Sequence, residues 1–231
     1  MVCPKPYFVP GRPGVSGTCL SWGSRKRNYD TALFRDGVKQ FLSIGANYFT
    51  NENWLIDAVD FSRQVISNKG DVLYNALEQS FRQKNVDRFK KNADAFLHLI
   101  LLEDSLLSLH KAFSLNQWLD AARKQGRTHK EKALFEWNAK TLITYWGSND
   151  PETDLHDYAN REMSGLLRSF YYRRWELFMD YCIKEMNGEP VSPPDFFTFE
   201  KSWASDSSHT SPIRFSGKER NALWSRLQAC L

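Results

Sequence analysis

The stretch Phe135–Phe178, FEWNAKTLITYWGSNDPETDLHDYANREMSGLLRSFYYRRWELF, decides how the rest of the chain is read. Apolar residues recur at Phe135, Ala139, Leu142, Ile143 and Trp146, and again at Leu155, Ala159, Leu166, Phe170, Leu177 and Tyr181, which is helical spacing in both halves. Between the halves lies Gly147-Ser148-Asn149-Asp150-Pro151, where no helix continues. The expected unit is two adjacent antiparallel helices, Phe135 to Gly147 and Leu155 to Met186, joined by a polar hinge. Gly165 falls inside the second. An interior glycine costs about 1 kcal/mol relative to alanine, so it is read as a place where a crossing helix or a ligand comes close to the backbone, packing being the simpler cause.

Outward from that unit the same spacing continues. Residues 1–30 hold four of the nine prolines and read as an extended arm anchored by Trp22, ahead of a helical domain over 31–231. The first helix runs from Thr31 to a stop at Gly45, and the second from Asn53 to Asn68, closed by Lys69-Gly70. A third carries Val72, Leu73, Ala76, Leu77 and Phe81. Asn85 caps a long fourth helix whose stripe widens at Phe96, Leu97, Ile100, Leu101, Leu106 and Leu107. A short helix over Leu115 to Lys124 places Trp118, Leu119 and Ala122 inward, and Gly126 breaks it. Thr128 and Glu131 form a capping box, as do Ser216 and Glu219 before a terminal helix through Leu223, Trp224 and Leu227. Phe196, Phe197, Phe199 and Trp203 mark one more helix. No repeat and no strand-like alternation is found, so the expected fold is an all-α bundle of about seven to nine helices. Leu97, Ile100, Leu142, Leu166 and Phe170 are expected among its most buried residues.

With 231 residues, 42% hydrophobic and 25% charged, the chain suits one sizeable core, and a 14% aromatic share is high. Aromatics at that level fill a thick core or line a sugar site. The net charge of +4 is spread through both signs, so no nucleic-acid partner is expected. Cys3, Cys19, Cys182 and Cys230 lack metal-ligand spacing, and no metal or other cofactor is implied. No run reaches membrane-spanning length, and the proline-bearing N-terminus as given has no signal-peptide pattern.

Asn138-Ala139, Ile143-Thr144 and Trp146-Gly147 resemble the N-A-R-x-Q-I-T-x-W-G signature of the alpha-N-acetylglucosaminidases. Asp157-Tyr158-Ala159-Asn160, Ser164-Gly165-Leu166, Tyr171, Arg174-Trp175 and Phe178 resemble that family's next signature. In the same order along the chain, Cys3 to Pro6, Leu20 to Asp30, Asp57 to Val65, Leu99 to Leu107 and Leu115 to Ala122 resemble further family segments. Lys140 stands where the family has Arg, Leu142 where it has Gln and Asn116 where it has Gly. The resemblance implies the C-terminal helical domain of a glycoside hydrolase. Such enzymes remove terminal alpha-linked N-acetylglucosamine from glycans such as heparan sulfate, in lysosomes or outside bacterial cells. Their catalytic glutamates belong to a preceding (β/α)8 barrel, which this chain does not contain and which would be its partner.

A glycosidase needs two carboxyl groups flanking the scissile bond. Asp57 with Asp60, and Asp154 with Asp157, are spaced by one helical turn, but such pairs are more simply caps or solvated edges. No catalytic residue is therefore assigned here. What the resemblance leaves to this chain is one wall of the pocket for a terminal N-acetylglucosamine, from Trp146, Asn138, Asp157 and Tyr158. An aromatic face stacks on a pyranose ring while amides and carboxylates bind its hydroxyls. Trp146 as a core plug is the competing assignment. Arg63 and Arg174 are read as structural ion-pair members, with Asp60, Glu103, Asp104 and Glu176 available, and His98, His110 and His156 as core or surface residues. The alternative function is a freestanding helical module that binds a glycan or a protein without catalysis.

Overall fold

The computed structural model describes residues 27–44, 48, 50–146, 161–206, 221–225 and 229. They form α1 (Thr31–Ser43), α2 (Glu52–Arg82), α3 (Val86–Leu107), a 3-10 turn (Lys111–Phe113), α4 (Leu115–Arg123), α5 (His129–Ile143), a π turn (Leu167–Tyr171), α6 (Tyr172–Met186) and α7 (Phe196–Ser205). Residues 221–225 are also helical. The architecture is the all-α bundle expected from the sequence; among the described residues the sole extended pairing is an isolated bridge between Ser114 and Ser164. Most of the arm lies outside the described residues, but its end is fastened to α2. Arg27 pairs with Asp71 at 2.6 Å and the Tyr29 hydroxyl donates to Asn68 Oδ1 at 2.8 Å.

Two helices make the scaffold. α2 starts where Asn51 accepts from the Trp54 amide and runs 31 residues, so the two helices expected to part at Lys69-Gly70 are one. Val65, Ile66, Tyr74 and Leu77, on either side of the glycine, are buried. Burying each large apolar side chain is worth about 1.5–3 kcal/mol, which outweighs the glycine. α2 ends in a tight turn: Lys84 takes a left-handed φ of 53°, Asn85 N donates to Ser80 O and Lys84 N to Phe81 O. Asn85 then caps α3 by accepting from Arg88 N, as the sequence predicts. α3 packs along α2 on one side and against α6 and the π turn on the other, while α4 packs on α5 and α5 on α7. The α5–α6 pairing expected from the sequence is not one of these main packings.

The second half of the decisive stretch is corrected most. Its residues 147–160 lie outside the described region, and Gly165 is not inside a helix. Ser164 N donates to Phe113 O and Leu115 N to Ser164 O, so the chain runs extended past the start of α4. Gly165 then turns it with φ +91°, a backbone conformation that side-chain-bearing residues rarely adopt. A Cβ there would meet Leu115 only at ordinary contact distance, so conformation and not crowding selects glycine. Its N–H donates to Asp104 Oδ1 at 2.7 Å. Past the π turn, α6 ends as expected at Asn187-Gly188, with Gly188 at φ +74°.

Ile100, Leu166 and Phe170 are fully enclosed as expected; Leu97 is only partly buried and Leu142 is 44% exposed. In the same core sits a charged pair. Arg174 Nη1 donates to Glu200 Oε1 at 2.8 Å with both side chains at most 1% exposed. The guanidinium also lies over Phe170 and Tyr171, 4.9 and 5.2 Å from their ring centres. Arg174 was expected to be a structural ion-pair member and is one, though its partner comes from α7. Removing one member strands a buried charge. Arg174→Met should cost about 3–5 kcal/mol in urea unfolding, and Arg174→Met with Glu200→Leu should recover much of that loss. A near-neutral single variant would contradict this account of the core. Gly165→Ala should cost about 1–3 kcal/mol in the same assay from the left-handed φ alone.

Candidate functional site

The capping box expected at the start of α5 is present: Thr128 accepts from Glu131 N, and the Glu131 carboxylate accepts from Thr128 N at 3.0 Å. It fixes the phase of a helix whose faces are the reverse of a simple amphipathic one. Glu136, Ala139, Lys140 and Ile143 are the buried residues. Leu134, Phe135 and Leu142 are 52%, 36% and 44% exposed. The charged pair goes inward because partners wait there. Glu136 binds Arg123 of α4 at 2.7 Å and Lys140 at 3.2 Å. Burial alone would raise the Glu136 carboxyl, but these two cations hold it below its ordinary value. Lys140 also donates to the Asp206 carbonyl and lies 5.3 Å over the Trp203 ring. The position at which Lys replaces the family's Arg is thus a packing position, whereas Leu142 faces outward.

On that outward face lies an open groove of about 480 Å³ lined by Trp118, Trp137, Asn138, Ala139, Thr141, Leu142 and Trp146. Two of the four site residues expected from the sequence, Trp146 and Asn138, are brought together in it. Asp157 and Tyr158 lie outside the described residues. The end of α5 aims Trp146: Thr144 is buried and donates from Oγ1 to Lys140 O at 2.6 Å, while Tyr145 is buried edge-on against Phe197. Trp146 N then closes onto Thr141 O at 3.0 Å. With Thr144 and Tyr145 locked inward, the next side chain lines the groove half-buried. A core plug would have been enclosed.

Trp118 was expected inward and is 38% exposed; it is held at the groove by its indole N–H, which donates to Ala139 O at 3.1 Å. Trp118, Trp137 and Thr141 were not expected as site residues. The available signal was their spacing, since Trp137 with Thr141, and Asn138 with Leu142, are each one turn apart on α5. The Thr141 Oγ1 is buried without a hydrogen-bond partner among the described residues. Three indoles and an exposed amide suit a ligand that has both apolar faces and hydroxyl groups.

Arg63 pairs with Asp60 at 2.7 Å, as expected, and also with Glu162. His110 caps the 3-10 turn by accepting from Ala112 N, and His98 is exposed with Nδ1 2.7 Å from Asp94 O. Among the described residues no group of three His, Cys, Asp or Glu side chains could hold a metal ion, and no helix is long and apolar enough to cross a membrane.

Comparison with known proteins places this geometry. The model of the alpha-N-acetylglucosaminidase (NAGLU) C-terminal domain matches residues 3–224. Human alpha-N-acetylglucosaminidase is 26% identical over 187 residues, which is 80% of this chain and 24% of the human protein. A family 89 glycoside hydrolase from Clostridium perfringens, solved with PUGNAc, superposes with a TM-score of 0.85 at 28% identity over 96% of this chain. A double variant of the Clostridium perfringens enzyme, solved with its substrate GlcNAc-alpha-1,4-galactose, gives a TM-score of 0.83 at 30% identity over 94% of this chain. The chain spans about a quarter of the length of each of these relatives.

Removing the Trp146 side chain should cost no more than about 1–2 kcal/mol in urea unfolding. Trp175→Ala, which empties a fully enclosed site, should cost about 3–5 kcal/mol. Equal losses would return Trp146 to the core.

Proposed function

This chain belongs to the C-terminal domain family of alpha-N-acetylglucosaminidases, and from that premise we propose that it supplies one wall of a pocket for terminal alpha-linked N-acetylglucosamine and packs on a barrel domain that carries the catalytic carboxyls. The observation that carries the reading is the reversed face of α5. Leu134, Phe135 and Leu142 are open to water while Glu136 and Lys140 of the same helix are buried, and the groove of Trp146 and Asn138 lies among the open residues. An apolar surface of that kind suits a protein neighbour and a sugar ring at its edge.

In this reading Trp146 presents its face to the pyranose ring, and the exposed Asn138 amide binds ring hydroxyls. Asp157 and Tyr158 join them on the strength of the family signature. Bond cleavage comes from elsewhere. The carboxyls of Glu103 and Glu162 are 0% and 6% exposed, too enclosed to meet a glycosidic oxygen, and Asp60 is committed to Arg63. Retaining catalysis needs two carboxyls about 5 Å apart beside the substrate.

Nuclear magnetic resonance of the indole N–H groups tests the wall directly. Addition of N-acetylglucosamine to roughly millimolar levels or above should shift the Trp146 signal, and Trp146→Ala should abolish the effect on neighbouring resonances. Shifts confined to other parts of the chain would overturn the assignment. The chain alone should release no chromophore from an aryl alpha-N-acetylglucosaminide overnight. Release above an inactive control, lost on changing Asp57, Asp60 or Asp157, would place the chemistry in this domain.

A further inference from the structure

Glu103, in the middle of α3, is wholly enclosed, and neither of its carboxyl oxygens has a partner among the N–H and hydroxyl donors of the described residues. What meets it is a second carboxyl, that of Glu162, at hydrogen-bond contact. Two carboxylates cannot make that bond; one of the two must carry a proton. We propose that Glu103 and Glu162 share a single proton and form a pH-sensitive latch that fastens the extended segment before Gly165 to α3.

The surrounding charges decide where the proton resides. From α2, Arg63 binds Glu162 and also Asp60; burial raises the Glu162 carboxyl too, but this guanidinium pulls against it, so of the two Glu162 is the acceptor. Glu103 lacks a cation of its own and is the donor. From the π turn, Arg168 reaches Asp104 at 3.2 Å, and from α6 the buried Arg174 is taken by Glu200. One guanidinium thus serves three carboxyls, Asp60, Glu103 and Glu162. Ionising both glutamates would put two buried negative charges beside a guanidinium already shared with the half-exposed Asp60, at a cost that drives proton uptake instead.

Asp104, the next residue, holds the same segment in the opposite protonation state. It accepts from Gly165 N at 2.7 Å, Arg168 N at 3.1 Å and Arg168 Nε at 3.2 Å. Consecutive carboxyls therefore grip the segment at both ends, one as acceptor and one as donor. Burial first, and then the charge of Glu162, push the Glu103 carboxyl well above its ordinary range. A group raised in this way contributes fully below the ordinary carboxyl value. Its contribution declines as pH rises, because the unfolded chain releases the proton while the folded chain retains it, and it is gone once the folded group ionises. Asp71, raised by burial to about 6 against the pull of Arg27, and Asp104, also raised, act in the same direction. The latch is therefore isolated by comparing variants and not by the wild-type slope.

Thermal unfolding of the chain between pH 5 and pH 8 makes that comparison. Glu103→Gln supplies a permanent neutral donor, so the wild-type midpoint should fall by about 3 °C more than that of E103Q across the range. Equal slopes would overturn the latch. Should E103Q fail to fold, hydrogen exchange in the wild type decides. After correction for intrinsic rates, the amides of Leu115, Ser164 and Gly165 should lose protection over this range ahead of those in the middle of α3. Uniform loss, or none, would overturn the proposal.

Discussion

Two neighbouring carboxyl groups on α3, Glu103 and Asp104, have to be satisfied without water, and the path of the chain from Glu162 to Arg174 follows from that demand. An unpaired charge in such a place costs several kcal/mol. The answer is local and backbone-built: a left-handed glycine turns its N–H to Asp104, and Arg168 adds two further donors. The π turn that follows sets Phe170 and Tyr171 around the Arg174 guanidinium. Trp203 packs on Phe170, and its indole N–H donates to Ser169 Oγ. α7 is thereby seated, and with it the carbonyl of Asp206 that receives Lys140. The groove on α5 thus rests on a line of polar contacts that begins in α3.

Short-range rules made much of the fold legible. Asn85 as a cap, the Thr128 and Glu131 box and the stop at Asn187-Gly188 depend on residues within a turn of one another, and the structure reproduces them. The boundary read at Gly70 was wrong because glycine is a weak breaker when both sides of it are buried. The inside of the path from Glu162 to Arg174 was illegible for a different reason. Leu166 and Phe170 keep helical spacing whether a straight helix or a left-handed residue and a π turn precede them.

The candidate site was half legible. Asn138 and Trp146 stood out by resemblance, and both line the groove. The orientation of α5 did not, since apolar periodicity assumes that charge faces water. Glu136 and Lys140 violate that assumption only because Arg123, Trp203 and Asp206, distant in sequence, are there to meet them. Once those contacts turn the helix, Leu142 moves from expected core to groove, and Trp118 is drawn outward by the Ala139 carbonyl.

The turn at Lys84 bears on the order in which these parts can assemble. It joins the two longest helices through a few residues, so the loop to be closed is short and the entropy of closing it small. The contact of Asp104 with Gly165 spans 61 positions. Chains gain sequence-local contacts ahead of distant ones of similar strength. The α2–α3 hairpin is therefore a ready template, already carrying Arg63 and both carboxyls, onto which the later segment condenses as it becomes available.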